Sequence, residues 1–314
     1  MCGMRRVINR REVLGAGIVA AAMLASGERP GATRGKVMFR YCLNTSTISG
    51  QKLSLPQLVE TVAKAGYQGI EPWVREVSAY ASGGGSLDDL RKRIADLGLT
   101  VENAIGFAKW LVADEAERRK GFDAFRRDME LVARIGCKRI AASPVGVNEV
   151  PTYSVQLGAE RYRQLIELGR QTGVMPVVEF WGASKNLGRL SEAVAIAAGS
   201  GQQEASVLAD VYHMYKGGSD FAEIRGLQRG MIQVMHMNDY PADPPRASIR
   251  DEHRVWPGDG IAPLREILRD LAAVNPQCVL SLELFNRQYW KMDALEAAKT
   301  GLEKMKAAVA AAGL

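Results

Sequence analysis

The sequence predicts a single (β/α)8 barrel, an α/β fold, over residues 35–314. The first reason is a repeated unit in which a helix of 3.6-residue periodicity ends at a glycine and a short apolar strand follows. The second reason is the number of strands, because eight units in about 280 residues fit a closed barrel of about 250 residues. An open, doubly wound sheet is the alternative fold, but no Gly-x-Gly-x-x-Gly turn follows the first strand.

The expected elements can be placed in order along the chain. A first strand lies within Val37–Leu43, and the helix that follows carries leucines and valines at helical spacing up to Gly66. A glycine suits this position because the residue after a helix often adopts a left-handed conformation. Gly98, Gly136 and Gly173 end later helices in the same way. The other strands are expected at Gly69–Glu71, Thr100–Glu102, Arg139–Ala141, Pro176–Glu179, Ser206–Asp210, Ile232–His236 and Val279–Glu283.

Residues 1–34 are typical of an export signal. Two arginine pairs precede the apolar run Val13–Leu24, which is shorter than the roughly 20 residues that span a bilayer. The stretch Asn9–Leu14 resembles a twin-arginine signal, and a frayed basic helix is the alternative interpretation. We therefore expect export to the periplasm, without a stable membrane anchor once the signal is cleaved.

The charge of the chain argues against a nucleic-acid partner. The formal net charge is +6, but the leader holds six arginines against two glutamates, which leaves 35 basic and 33 acidic residues elsewhere. A protein that binds a phosphate backbone normally carries a strongly basic face in its folded domain. We expect a small molecule as the partner instead.

Four predicted strands end in side chains that can bind a metal. Glu179, Asp210 and Glu283 each follow an apolar run directly, and His236 does the same. Charged side chains are costly in apolar surroundings unless they are paired or bound to a metal. The C-terminal ends of barrel strands meet at one mouth. The sequence therefore predicts that these four residues bind one divalent cation per chain.

The chemistry of this set favours particular metals. Three carboxylates, one imidazole and no thiolate suit a hard or borderline ion better than structural zinc. Mn²⁺ is the first choice, with Mg²⁺, Co²⁺ and Fe²⁺ as alternatives. The whole chain has three histidines, too few for a tri-zinc phosphodiesterase site. No Cys-x-x-Cys pair is present, so Cys42, Cys137 and Cys278 are expected to be buried free thiols.

Five short motifs surround the candidate residues. Glu179 lies in Val-Glu-Phe-Trp, Asp210 begins Asp-Val-Tyr-His, His236 begins His-Met-Asn-Asp, Arg254 begins Arg-Val-Trp-Pro-Gly-Asp-Gly, and Glu283 lies in Leu-Glu-Leu-Phe. In this order the motifs resemble the xylose isomerase-like TIM barrels. The likeness is nearest to sugar isomerases and epimerases of the ketose 3-epimerase type, with inosose dehydratases as near relatives, and it spans most of the chain after the leader.

The resemblance implies a role for each matching position. The four strand-end residues match the metal ligands of the family, and His213 and Arg254 match residues that hold substrate oxygens. Glu179 and Glu283 also match the catalytic acid/base pair, which acts on opposite faces of the substrate carbon. The resemblance thus implies proton transfer at a carbon next to a carbonyl that the metal polarises.

The segment Tyr240–Gly260 is unusually long for a loop between a strand and a helix. We expect it to cover or contact the substrate, and a contact between copies in a homo-oligomer is the alternative. The loop is also longer than expected of a ketose epimerase. Arg246 or Arg250 is therefore an alternative to Arg254 at the site.

Other side chains near predicted strand ends are weaker candidates. Trp110 and Trp181 are assigned to substrate binding, because aromatic faces can pack on the C–H face of a sugar. Trp73 and Phe107 occupy comparable positions, and packing in the core or at the rim is the alternative for all four. His253, next to Arg254, either contacts the substrate or only forms part of the loop.

Two acidic residues have open roles. Glu71 ends a strand, where it either contacts the substrate or pairs with a buried arginine. Asp239 either orients His236 or a metal-bound water, or lies at the surface.

We expect the chain to be a divalent-metal-dependent sugar isomerase or epimerase. An export signal is unusual for an enzyme of phosphorylated metabolites, which favours an unphosphorylated sugar or sugar derivative. A lyase or dehydratase that acts by β-elimination on a keto-sugar or keto-glycoside is an alternative at the same site. A non-catalytic barrel that binds a sugar is an alternative of another class.

Overall fold

A computed structural model describes residues 37–149 and 154–314, so the leader predicted over residues 1–34 lies outside the described part of the chain. The described strands form one parallel sheet in the order β3-β2-β1-β8-β7-β6-β5-β4. Their bounds are β1 Arg40–Asn44, β2 Gly69–Glu71, β3 Thr100–Val101, β4 Arg139–Ala142, β5 Met175–Glu179, β6 Val207–Asp210, β7 Ile232–Met237 and β8 Val279–Leu282.

The sheet closes on itself between β3 and β4. Ala104, just beyond β3, forms a parallel bridge with Ile140 of β4. Its N–H donates to the carbonyl of Arg139 at 3.0 Å, and its carbonyl accepts from the N–H of Ala141 at 2.9 Å. The predicted eight-stranded barrel is therefore confirmed, and the predicted strands match the observed ones to within a few residues at either end.

Helices surround the barrel and separate successive strands. The glycines predicted to end helices do so, with φ of 93° at Gly66, 73° at Gly98, 80° at Gly136 and 77° at Gly173. The α-helices in the described ranges are α1 Leu55–Ala65, α2 Val74–Ser82, α3 Leu87–Asp96, α4 Glu115–Ala133, α5 Val155–Thr172, α6 Leu190–Gly199, α7 Val211–Gly217, α8 Leu264–Val274 and α9 Ala294–Ala311. None of these helices combines the length and the apolar character needed to cross a bilayer.

Helix α2 was not predicted. The elements expected from the sequence include no helix between β2 and α3, but the chain forms two and a half turns of helix there. Val74 and Val77 alone are buried in α2, so its apolar periodicity is too short to recognise. The helix begins at Trp73, whose N–H donates to the Glu76 carboxylate at 2.9 Å.

The inside of the barrel has its own small core. Alternate residues of a strand share a face, so residues two apart point into the lumen together. Val177, Leu208, Val234 and Val279 pack there with Cys42, Ala141 and neighbouring side chains. The cysteines at 42, 137 and 278 are buried and free, as expected. Because Glu179, Asp210 and His236 each lie two residues beyond a member of this core, the same alternation turns them toward the mouth of the barrel.

Candidate metal centre and substrate cavity

Three of the four predicted ligands converge at the C-terminal mouth of the barrel. Each of Asp210, His236 and Glu283 offers one donor atom, and these atoms lie within 4.8 Å of one another. His236 Nδ1 is 3.1 Å from Glu283 Oε2 and 3.5 Å from Asp210 Oδ2. The strand register explains the convergence, because Asp210 of β6 lies directly beside His236 of β7.

Glu179 lies outside this group of three but faces the same cavity, together with Glu283. It is only 4% exposed, and its Oε2 has no hydrogen-bond partner among the described residues. Burial raises the pKa of Glu179 to about 8, against the opposing charge of His236, and the negative charges of Glu283 and Asp210 raise it further. A buried, unpartnered carboxylate at the edge of a donor cluster is available to a cation.

Glu71 contacts His236 on the side of the ring opposite Asp210 and Glu283. Its Nε2 lies 3.0 Å and 3.2 Å from the two carboxylate oxygens of Glu71. Its Nδ1 is buried and forms no hydrogen bond within the described ranges. Burial alone would lower the pKa of His236, but Glu283 and Glu71 outweigh it and raise the pKa well above its ordinary value. A carboxylate that fixes one ring nitrogen while the other faces anionic ligands is the usual arrangement of a metal-binding histidine.

Both interpretations of Glu71 from the sequence are therefore wrong. Glu71 is fully buried and contacts neither the cavity nor an arginine; its carboxylate accepts from Asn103 Nδ2 at 2.7 Å, Ser281 Oγ at 2.6 Å and Asn44 Nδ2 at 2.9 Å. Asn44 Nδ2 also donates to Glu283 Oε1 at 3.2 Å. The signal available in the sequence was that Glu71 ends a strand as the ligands do, but nothing there named its partner.

Arg254 reaches the centre despite the length of its loop. It is 1% exposed, and its Nη1 lies 2.9 Å from Asp210 Oδ2 and 2.8 Å from Glu283 Oε2. Its Nη2 contacts Asp251 and lies 3.2 Å from His213 Nε2. Burial opposes the ionisation of Asp210, but the charge of Arg254 outweighs it and holds the pKa of Asp210 well below its usual range. Neither Arg246 nor Arg250 is needed as a substitute.

Asp239 fixes the loop that carries Arg254. Its side chain accepts the N–H groups of Tyr240 at 2.8 Å, Gly258 at 3.0 Å, Gly260 at 3.1 Å and Ala262 at 2.9 Å. A Cβ at position 260 would lie 2.3 Å from Asp239 Oδ1, so the close approach requires glycine there. Asp239 is therefore a buried anchor of the loop, and the surface position considered from the sequence is wrong.

His213 faces both the loop and the cavity. Its Nδ1 lies 3.2 Å from the backbone nitrogen of Gly182, and its Nε2 lies 3.2 Å from Arg254 Nη2. Burial lowers the pKa of His213 despite the nearby charge of Asp210. The ring thus lies next to a guanidinium at the edge of the cavity, a combination suited to binding substrate oxygens.

A cavity of about 560 Å³ opens above these groups. Its volume lies in the range of roughly 300–1,000 Å³ that is common for small-molecule sites. The predicted substrate contacts His213, Arg254 and Trp181 line it. Residues that were not assigned to substrate binding from the sequence line it too, and these include Trp73, Ile105, Phe107, Asp251 and Phe285.

Two predicted substrate contacts lie elsewhere. Trp110 is completely buried, its Nε1 donates to the carbonyl of Ser143 at 2.9 Å, and its ring packs against Tyr162. His253 turns back into its own loop, where Nδ1 accepts the N–H of Arg250 at 3.0 Å. Trp110 is therefore a core residue and His253 a loop residue. These are the alternatives that the sequence left open for the two residues, because position near a strand end or beside Arg254 does not determine where a side chain points.

The donor set fits a divalent cation on structural grounds. Several buried acidic side chains surround His236 and Arg254, and two buried atoms, Glu179 Oε2 and His236 Nδ1, have no hydrogen-bond partner in the part of the chain that the structure describes. Unpaired buried polar atoms are costly, so their clustering around one point indicates a ligand that the chain does not itself supply. Asp210, His236 and Glu283 would hold the ion, with Glu179 adjacent.

Comparisons with known proteins agree with this geometry. The chain is 28% identical to the inosose isomerase of Bacillus velezensis over 276 residues, which cover 86% of this chain and 97% of that protein. It is 23% identical to the 3-dehydroshikimate dehydratase of Pseudomonas putida over 83% of this chain and 40% of that protein. The crystal structure of the IOLI protein with a binding zinc atom superposes with a TM-score of 0.80 at 24% identity, over 87% of this chain and 98% of that one.

The family assignment rests on a match over most of the chain. The family model described as xylose isomerase-like TIM barrel matches residues 59–308, which include every strand from β2 to β8 and all four predicted metal ligands. The chain therefore belongs to the xylose isomerase-like TIM barrel family.

Proposed function

We propose that the chain is a divalent-metal-dependent isomerase or epimerase that moves a proton next to a carbonyl on an unphosphorylated sugar or sugar derivative. The observation that carries the proposal is the cluster of buried metal-binding side chains at the ends of β5 to β8, in which Glu179 Oε2 and His236 Nδ1 have no hydrogen-bond partner among the described residues. The inosose isomerase relative, aligned over almost its whole length, supports an isomerase on this barrel.

The proposed cofactor is one Mn²⁺ per chain. Carboxylate oxygens and one imidazole suit Mn²⁺, Mg²⁺, Co²⁺ or Fe²⁺, and the absence of thiolates among the described donors disfavours structural zinc. The zinc bound by the IOLI protein shows that a divalent ion can bind a barrel of this shape, and it leaves the native metal of this chain to experiment.

The side chains are arranged for proton transfer from two sides. A divalent ion in this position would polarise a substrate carbonyl and make the neighbouring C–H more acidic. Glu179 ends β5 and Glu283 follows β8, and these are the outer members of four adjacent strands, so the two carboxylates flank Asp210 and His236. One glutamate removes the proton and the other returns one from the opposite side, while Arg254 and His213 hold the substrate oxygens.

A lyase or dehydratase is the second candidate, and the same site supports it. If a hydroxyl or glycosidic oxygen leaves from the β carbon after proton removal, the product is an alkene instead of an epimer. The 3-dehydroshikimate dehydratase relative favours this alternative, although the chain spans only 40% of that protein. A barrel that only binds sugar is disfavoured, since unpaired buried carboxylates would be retained at an electrostatic cost without their cation.

The decisive experiment follows C–H exchange in heavy water by NMR. The protein is loaded with Mn²⁺ during the reaction and freed of it before spectra are taken, and a panel of ketoses and keto-glycosides is tested. Exchange with formation of an epimer or isomer supports the first function, and an unsaturated product supports the second. If no compound shows exchange although the sugars still bind, the result would support the non-catalytic sugar-binding barrel.

We also propose that the chain is exported through a twin-arginine signal within residues 1–34. Support comes from the sequence alone, in the paired Arg10 and Arg11 before an apolar run. Replacing both arginines with lysine should leave the protein in the cytoplasm when cells are fractionated. Unchanged export of that double variant would contradict the proposal.

A further inference from the structure

Acidic and aromatic residues alternate at three strand ends around the cavity. Glu71 is followed two positions later by Trp73, Glu179 by Trp181, and Glu283 by Phe285. Residues two apart in an extended chain share a face, so each pair projects toward the same mouth, with the acid deeper and the ring farther out. The cavity therefore has a charged floor and an aromatic layer above it.

The rings of this layer form a continuous wall. Trp73 lies 6.2 Å from Phe285 and 5.1 Å from Phe107, and Phe107 lies 6.2 Å from Trp181, measured between ring centroids. Phe107 is 42% exposed, an unusual position for a large apolar side chain at the edge of a cavity. One sugar ring covers one aromatic face, so a wall of four rings extends beyond what a single sugar requires.

The wall is joined to the charged floor at its inner end. Trp73 Nε1 donates to Asn44 Oδ1 at 2.9 Å, and Asn44 Nδ2 donates to Glu283 at 3.2 Å. A ligand whose polar ring reaches Glu283 can therefore place an outward substituent beside Trp73 and the neighbouring Phe107. The polar rim of Arg250, Asp251 and Glu252 lines the remaining part of the cavity.

We propose that the substrate is a sugar-like ring that carries a planar apolar substituent, such as an aryl glycoside, and that Trp73, Phe107, Trp181 and Phe285 bind this substituent. The inference rests on the proposed function, because the ring is placed at the metal centre. It adds a second subsite that a free monosaccharide leaves empty. Burial of Phe107 against the substituent supplies the additional affinity of the substituted ring over a free monosaccharide.

The test compares the binding of phenyl and methyl β-glucoside to the Mn²⁺-loaded protein by calorimetry. We expect the phenyl compound to bind at least tenfold more tightly. Phe107→Ala should reduce that preference roughly three- to tenfold, which corresponds to one aromatic contact. Leu157→Ala is the matched control, since Leu157 is a similarly exposed apolar residue on α5, away from the cavity lining.

Each outcome bears on one proposal. Equal affinity for both glucosides, or equal weakening of both by Phe107→Ala, would overturn the aromatic subsite and leave the isomerase proposal standing. A phenyl preference that depends on Phe107, combined with no C–H exchange on any keto-sugar or keto-glycoside, would retain the subsite and remove the isomerase. Because binding is measured without turnover, the two failures are distinguishable.

Discussion

Both ends of the barrel contain buried carboxylates, but the chain pairs them with positive charge to different extents. At the end where strands begin, Glu102 lies 2.8 Å from Arg40 Nε, 3.5 Å from Arg139 Nη1 and 3.8 Å from Lys138 Nζ. At the end where strands finish, Glu179 has an unpaired oxygen, and Arg254 is shared between Asp210 and Glu283. The chain compensates the buried negative charge at the first end, and it compensates that at the second end only in part.

The protonation of the two glutamates reflects this difference. Burial would raise the pKa of Glu102, but the Thr100 hydroxyl and the charges of Lys138 and Arg40 outweigh it and leave the pKa below its ordinary value. Burial raises the pKa of Glu179 to about 8 because compensation is incomplete. A buried charge that the fold satisfies contributes to stability, whereas one that the fold leaves unsatisfied marks a place for a ligand.

The largest expected effect is on turnover, and it distinguishes the C-terminal mouth of the barrel from the opposite end. Glu283→Gln should lower turnover by about 10²- to 10⁴-fold, because the amide cannot accept or return a proton. The rate of C–H exchange measures this, and circular dichroism checks that the fold is intact. Glu102→Gln is the matched control at the opposite mouth and should keep its activity. Turnover near that of the unmodified protein in Glu283→Gln would remove Glu283 from the acid/base role.

A smaller effect concerns metal and stability. Mn²⁺ at about a hundred times its Kd should stabilise the protein by about 2.7 kcal/mol, seen as a rise in Tm. Asp210→Asn should abolish most of that rise, because it removes a charged donor from the cluster, and a chelator should abolish activity in the unmodified protein. An equal Tm rise in Asp210→Asn would show that the ion binds elsewhere.

Glu102 should affect stability without affecting chemistry. Glu102→Gln is expected to cost about 1–3 kcal/mol in urea unfolding, less than a fully buried pair because Arg40 and Lys138 are partly exposed. The folded-state pKa is depressed, so the contribution is present above the ordinary value of 4.5 and is lost as the pH falls through the folded-state value. The variant should therefore lose less stability on acidification, and identical pH profiles would contradict the ion-pair interpretation.

The smallest effect tests the reassignment of Trp110. Trp110→Phe removes the hydrogen bond to Ser143 and should cost about 0.5–1.5 kcal/mol of unfolding free energy. KM should stay unchanged, because the ring packs in the core beside Tyr162. An increase in KM with unchanged stability would return Trp110 to the substrate cavity.

Much of the fold could be predicted from the sequence because its signals are local. A glycine after an apolar helical stripe ends a helix regardless of context, as Gly66 and Gly173 do. Helix α2 escaped prediction because only Val74 and Val77 are buried, too few to form a pattern. Apolar spacing predicts an element only when the element buries a long enough face.

The candidate site was predictable only in part, because contacts across the barrel leave no local trace. Strand-end position was enough to propose Asp210, His236 and Glu283 together, and the structure brings them within 4.8 Å. Strand-end position was not enough to predict the role of Glu71, because its partner His236 lies 165 residues away in the sequence. Nor could it show that Trp110 turns inward while Phe107, three residues earlier, stays exposed. Side-chain direction depends on packing that no single segment determines.

The anchoring of the loop at Asp239 has a consequence for how this barrel can diversify. Four N–H groups from both ends of the segment converge on one carboxylate, and Val255 pairs with the backbone of Asp239 just beyond Arg254. The guanidinium is therefore positioned from the base of the loop and not from its tip. The side chains of Arg250 and Glu252, which line the cavity and take no part in this anchoring, can therefore change, and with them the range of compounds admitted, while the reactive centre keeps its geometry.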